Sequence, residues 1–102
     1  MSIGQYATTV SQNSDAIRVT LHSTQIVVIY PNGRIVLDHA GWTTPITLRR
    51  MNQVSEEFGL GYRVYQKSFA WYVAVDGHVL EFDKSPLTIR NGLDTQPDRS
   101  IP

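Results

Sequence analysis

The chain has 102 residues, enough for one hydrophobic core, so a single domain is expected. Nine Lys plus Arg balance nine Asp plus Glu, so the molecule as a whole has no long-range field for nucleic acid or an acidic membrane, and any basic footprint must be local. The lack of cysteine excludes a disulfide framework, a thiolate nucleophile and a cysteine-bound metal, and no apolar run reaches the roughly 18 residues that cross a membrane.

The opening residues MSIGQYATTVSQNSD lack the basic start and apolar run of a secretory leader, so a soluble protein of the cytoplasm is expected. Residues 1–15 are rich in Ser, Thr, Gln and Asn without period, and read as a flexible N-terminal arm, either mobile or laid along a sheet edge. The folded domain is expected over residues 16–90. Ile17, Val19 and Leu21 alternate with Arg18, Thr20 and His22, as in a strand with one wet face. Residues 25–30 and 34–38 form a hairpin around Pro31, Asn32 and Gly33, which supply a fixed φ, a tolerant turn position and a positive φ. Its first strand is apolar on both faces, with Ile26 and Val28 pointing one way and Val27 and Ile29 the other, so both sides need covering.

One helix is expected over residues 45–58. Thr44 is placed to cap it, Pro45 stands where a missing N–H does no harm, and Gly59 suits the left-handed residue that ends it. At 3.6 residues per turn, Thr47, Leu48, Met51, Val54, Ser55 and Phe58 share the packing face, while Arg49, Arg50, Asn52, Gln53, Glu56 and Glu57 spread over the solvent face. Arg49 and Arg50 lie toward the N-terminus and Glu56 and Glu57 toward the C-terminus, against the helix dipole. An external anion held by the arginines, the free amides and the hydroxyls of Thr43 and Thr44 accounts for that order.

Beyond Gly61 the period returns to two. Tyr62, Val64 and Gln66 take one face and Arg63, Tyr65 and Lys67 the other, followed by a bend at Ser68 and Phe69. Residues 71–75 and 78–82 make a second hairpin about Asp76–Gly77. Leu87, Thr88 and Ile89 either add a short strand or clamp the core, and residues 91–102 read as an irregular tail.

The expected fold is therefore α+β, antiparallel, in the order β-β-β-α-β-β-β. A helix of 14 residues is about 21 Å long and covers about three or four strands at ~4.8 Å spacing. Six strands with two-sided apolar segments then need either a sheet that curls on itself or a second copy, which makes a homodimer a candidate.

Gly41, Trp42, Thr43 and Thr44, then Thr47, Arg50, Met51 and Asn52, followed by an aromatic strand with Trp71, Tyr72 and Val73, form a pattern over about a third of the chain. It resembles small accessory proteins of tailed bacteriophages. That resemblance implies a viral accessory role in the host cytoplasm, with no activity and no catalytic residue to carry over.

The candidate nucleic-acid site comprises Arg49, Arg50, Asn52 and Gln53 on the helix and Arg63, Tyr65 and Lys67 on the following strand, with Tyr72 available to stack on bases. From residue 39 to 75 four cations (Arg49, Arg50, Arg63, Lys67) stand against two carboxylates (Glu56, Glu57), a local surplus of two. The alternative partner is a host protein, engaged through an unpaired strand edge or an aromatic patch drawn from Trp42, Tyr62, Tyr65, Phe69, Trp71 and Tyr72. His22, His39 and His78 are scattered and share no metal-ligand spacing, and Gly59 and Gly61 suit a helix end and a strand start, so no enzyme, metal or cofactor is expected.

Overall fold

Residues 8–90 are described by a computed structural model of the chain. The elements in order are β1 (Thr8–Gln12), β2 (Ile17–Leu21), β3 (Thr24–Ile29), β4 (Arg34–Leu37), α1 (Pro45–Phe58), β5 (Tyr62–Lys67), β6 (Ala70–Val75), β7 (His78–Glu81) and β8 (Leu87–Arg90). The fold is α+β with one helix and antiparallel strands, as the alternation of apolar residues predicts. The strands divide into a five-stranded sheet, β1-β2-β3-β4-β8, and a three-stranded sheet, β5-β6-β7.

Two strands extend the expected order. β1 lies within the expected arm and runs along the edge of the larger sheet, with Val10 opposite Val19. An edge strand is held by its backbone ladder rather than by a buried face. Four of its five side chains are exposed, which is why TTVSQ carries no apolar period. β8 closes the opposite edge, Ile89 pairing with Ile35 and Leu87 with Leu37. The start of the arm, residues 1–7, and the tail, residues 91–102, lie outside the described residues.

The turns follow their residue types. Asn32 Oδ1 accepts from the Arg34 N–H at 2.9 Å while Gly33 takes φ 90°. Asp76 and Gly77 both take positive φ, 52° and 77°, the backbone of a two-residue hairpin turn that matches strand twist. The same geometry recurs between β5 and β6, where Ser68 (φ 53°) and Phe69 (φ 70°) occupy it without a glycine.

Both sheets and the helix share one core. Val19 and Leu37 from the larger sheet, Val64, Trp71 and Val73 from the smaller, Met51 and Val54 from α1 and Phe82 from the connection to β8 are all buried together. β3 buries Ile26, Val27 and Val28 in succession within the one chain. The two sheets and the helix thus enclose one core between them.

α1 is capped as expected. Thr44 Oγ1 accepts from the Thr47 N–H at 3.4 Å and pairs with Thr47 Oγ1 at 3.1 Å. Gly59 takes φ 62° and ψ 47° at the other end, its N–H bonding the Ser55 carbonyl. The buried stripe is rotated from the expected one. Arg50 is buried with Thr47, Met51, Val54 and Ser55, whereas Leu48 and Phe58 are only half-buried.

Candidate functional site

β5 is an edge strand of the smaller sheet, so its outward N–H and C=O groups need partners, and α1 supplies them. Ser55 Oγ donates to the Tyr62 carbonyl at 2.6 Å and accepts from the Tyr62 N–H at 3.1 Å. Asn52, one helical turn earlier, does the same for Val64, Nδ2 donating to its carbonyl at 2.8 Å and Oδ1 accepting from its N–H at 2.7 Å. Positions i and i+3 on a helix stand one above the other, as alternate residues of a strand edge do, which is what lets the two registers meet. The Tyr62 hydroxyl donates to the Met51 carbonyl at 2.7 Å, and burial pushes its pKa upward.

This docking leaves a groove of about 490 Å³ between helix and strand, lined by Pro45, Leu48, Arg49, Asn52, Gln53, Glu56, Arg63 and Gln66. Arg49 and Arg63 reach it from different elements, with Glu56 the carboxylate among them. Four of the eight expected site residues therefore meet here: Arg49, Asn52, Gln53 and Arg63. Asn52 belongs to the scaffold, however, since its amide is engaged on β5 rather than held out to solvent.

Arg50 is a correction to the sequence reading. It is 6 % exposed; its Nε donates to Thr8 Oγ1 on β1 at 3.0 Å and its Nη1 to Gln53 Oε1 at 3.0 Å. It therefore does not lie on the solvent face as expected, and from near the helix N-terminus it tethers β1 to α1. The Thr44 hydroxyl is likewise engaged, capping the helix at Thr47.

The remaining expected residues lie on the outer face of the β5–β6 hairpin. Cross-strand pairs there are Arg63 with Ala74, Tyr65 with Tyr72 and Lys67 with Ala70. The rings of Tyr65 and Tyr72 stack at a centroid distance of 5.5 Å and an interplanar angle of 26°, both half-buried. Arg63 and Lys67 are exposed on either side of that pair, and β7 adds Glu81 opposite Tyr72. At the tip, Phe69 is 94 % exposed. Of the aromatic anchors considered for a protein partner, Tyr62 and Trp71 are buried and belong to the core, while Phe69 and Trp42 face solvent.

The four groove residues outside the expected site are Pro45, Leu48, Glu56 and Gln66. Alternation puts Gln66 on one face with Tyr62 and Val64, and at the exposed end of the edge strand β5 it lines the groove beside the helix. No period-based signal finds it.

The histidines take separate roles. His39 is buried; its Nδ1 accepts from the Gly41 N–H at 3.0 Å, so its Nε2 carries the proton and donates to the Phe82 carbonyl at 3.0 Å. Asp38 Oδ1 accepts from the Ala40 N–H and from Ser85 Oγ, both at 2.8 Å. Among the described residues no group of three or more His, Cys, Asp or Glu is placed to hold a metal ion, and no helix is long and apolar enough to cross a membrane.

Fold and surface together define a small α+β protein of two antiparallel sheets and one helix, with an open polar groove beside that helix. The chain belongs to the Kyanoviridae Gp96 protein family, whose model matches residues 2–92. The Kyanoviridae are a family of cyanophages, so this is a bacteriophage protein, in keeping with the resemblance to bacteriophage accessory proteins. Neither a curated protein nor a solved structure matches the chain.

Proposed function

We propose that the protein is a non-enzymatic phage accessory factor of the host cytoplasm that binds single-stranded nucleic acid across the outer face of the β5–β6 hairpin and the adjoining groove. The observation that carries the reading is the row Arg63, Tyr65, Lys67 on one strand face, with Tyr72 stacked on Tyr65. Cations four residues apart on a strand stand roughly 13 Å apart, a span that follows a few nucleotides of backbone while the rings between them offer faces to unstacked bases. Arg49 adds a further cation from the helix side of the groove. Arg50 has no part in it, and Asn52 acts only by holding the strand.

The binding must weaken as salt rises, because each phosphate contact releases counterions. Fluorescence anisotropy of labelled single-stranded DNA, single-stranded RNA and duplex DNA between low and moderate salt tests the reading. Salt-sensitive binding that favours single strands and is reduced by Arg63→Ala and Lys67→Ala supports it; the absence of salt-sensitive binding to all three overturns it. A second reading, docking on a host protein, is favoured by Phe69, an apolar ring held at 94 % exposure on a turn with positive φ at two non-glycine residues.

A further inference from the structure

A second concavity lies against the larger sheet, and none of the groove residues lines it. It has a volume of about 180 Å³, with Leu21, Ile26 and Ile46 as apolar walls and Thr44 and Thr47 at the helix start. Ile26 is buried and Ile46 packs on the core, so these walls are fixed by the fold itself.

Trp42 stands on its solvent side, 55 % exposed. Its N–H donates to the His39 carbonyl at 2.6 Å and its carbonyl accepts from the Thr44 N–H at 2.9 Å, so the backbone on both sides of this indole is held. Exposing a large ring at a fixed position forgoes the burial that ordinarily rewards tryptophan. Across from it His22 sits on the β2–β3 turn at φ 58°. The two ring centroids are 6.4 Å apart and tilted by 35°. At that separation the two rings form an aromatic pair at the rim of the concavity, so an entering ring meets an aromatic wall there.

We infer that this cavity is a binding site for a small, uncharged, planar ring compound, which meets Trp42 and His22 on one wall and is seated on Leu21, Ile26 and Ile46. The size fits: an apolar cavity of about 150 Å³ accepts a benzene ring. The polarity fits as well, since no Lys, Arg, Asp or Glu lines it. A charged ring would lose its hydration without a counter-charge. The hydroxyls of Thr44 and Thr47, already paired with each other, offer one edge of limited hydrogen-bonding capacity. The site is independent of the nucleic-acid face and stands or falls without it.

The test is a titration of the uniformly 15N-labelled full chain with indole, thymidine, cyclohexanol and benzoate, followed by amide and indole N–H shifts. The expected result is saturable shifts at Leu21, Thr24, Thr44 and the Trp42 indole N–H with indole, thymidine or both, and none with benzoate. Which of the two binds tells whether a bare ring or a nucleobase is preferred. Trp42→Ala should weaken binding by up to about tenfold, the upper end of what one ring-stacking contact supplies. Ile46→Phe should block the site by filling it while Trp42 is retained. No saturable shift with either planar probe overturns the inference, and so does a response to cyclohexanol or benzoate equal to that to the planar probe that binds.

Discussion

Asn52 and Val64 exchange two hydrogen bonds, side chain to backbone, at 2.8 and 2.7 Å, the pairing that a neighbouring strand would otherwise give to the edge of β5. Replacing Asn52 removes both at once. Asn52→Ala should destabilise the protein by about 2 kcal/mol, since it leaves a part-buried donor and acceptor unmatched. Asn52→Asp keeps the shape and the acceptor but sets a carboxylate against the Val64 carbonyl, and should be at least as damaging. Urea unfolding of the two variants decides it. If Asn52→Asp were as stable as the wild type, the amide would not be bonding the Val64 carbonyl.

Arg50 links α1 to β1 through Thr8, so its loss should be felt at the sheet edge before it is felt in the core. Arg50→Ala should cost about 1 to 3 kcal/mol and speed amide hydrogen exchange over residues 8–12 more than over residues 70–75. The same variant should leave nucleic-acid affinity nearly unchanged. A large drop in affinity with no change in exchange would return Arg50 to the binding surface.

Tyr62 is buried and its pKa is raised by desolvation, so the folded state favours the neutral phenol. The stability this group contributes is fully present below the ordinary tyrosine pKa of about 10 and is lost progressively as pH climbs beyond it, because only the unfolded chain ionises there easily. Stability measured from pH 8 to 11 should fall at the alkaline end. Tyr62→Phe should lower the plateau by about 1 kcal/mol through loss of the bond to the Met51 carbonyl, while flattening the alkaline fall. An equal alkaline slope in both proteins would assign the fall to other groups.

The fold was largely legible because the chain obeys its periods. The alternation in residues 17–37 and 62–81, the Asn-Gly and Asp-Gly turns and the Thr44 and Gly59 caps all act locally. What escaped depends on neighbours distant in sequence. Arg50 and Asn52 look like solvated helix residues until β1 and β5 are placed beside them, 42 and 12 residues away along the chain. An arm laid along a sheet edge was one of two readings of residues 1–15, undecided because an edge strand needs no apolar period, and the division into two sheets escaped because alternation does not say where a sheet ends. The row of Arg63, Tyr65 and Lys67 was readable from the alternation alone; the Tyr65–Tyr72 stack needed the register between β5 and β6.

The most direct measurement is a map of backbone amide shifts in the 15N-labelled full chain as a short oligothymidylate is added at low salt. Binding on the β5–β6 face predicts shifts concentrated at Arg63, Tyr65, Lys67, Phe69 and Tyr72, with weaker ones at Arg49 and Gln66, all reversed by added salt. Shifts confined to other surfaces, or none at all, would contradict it.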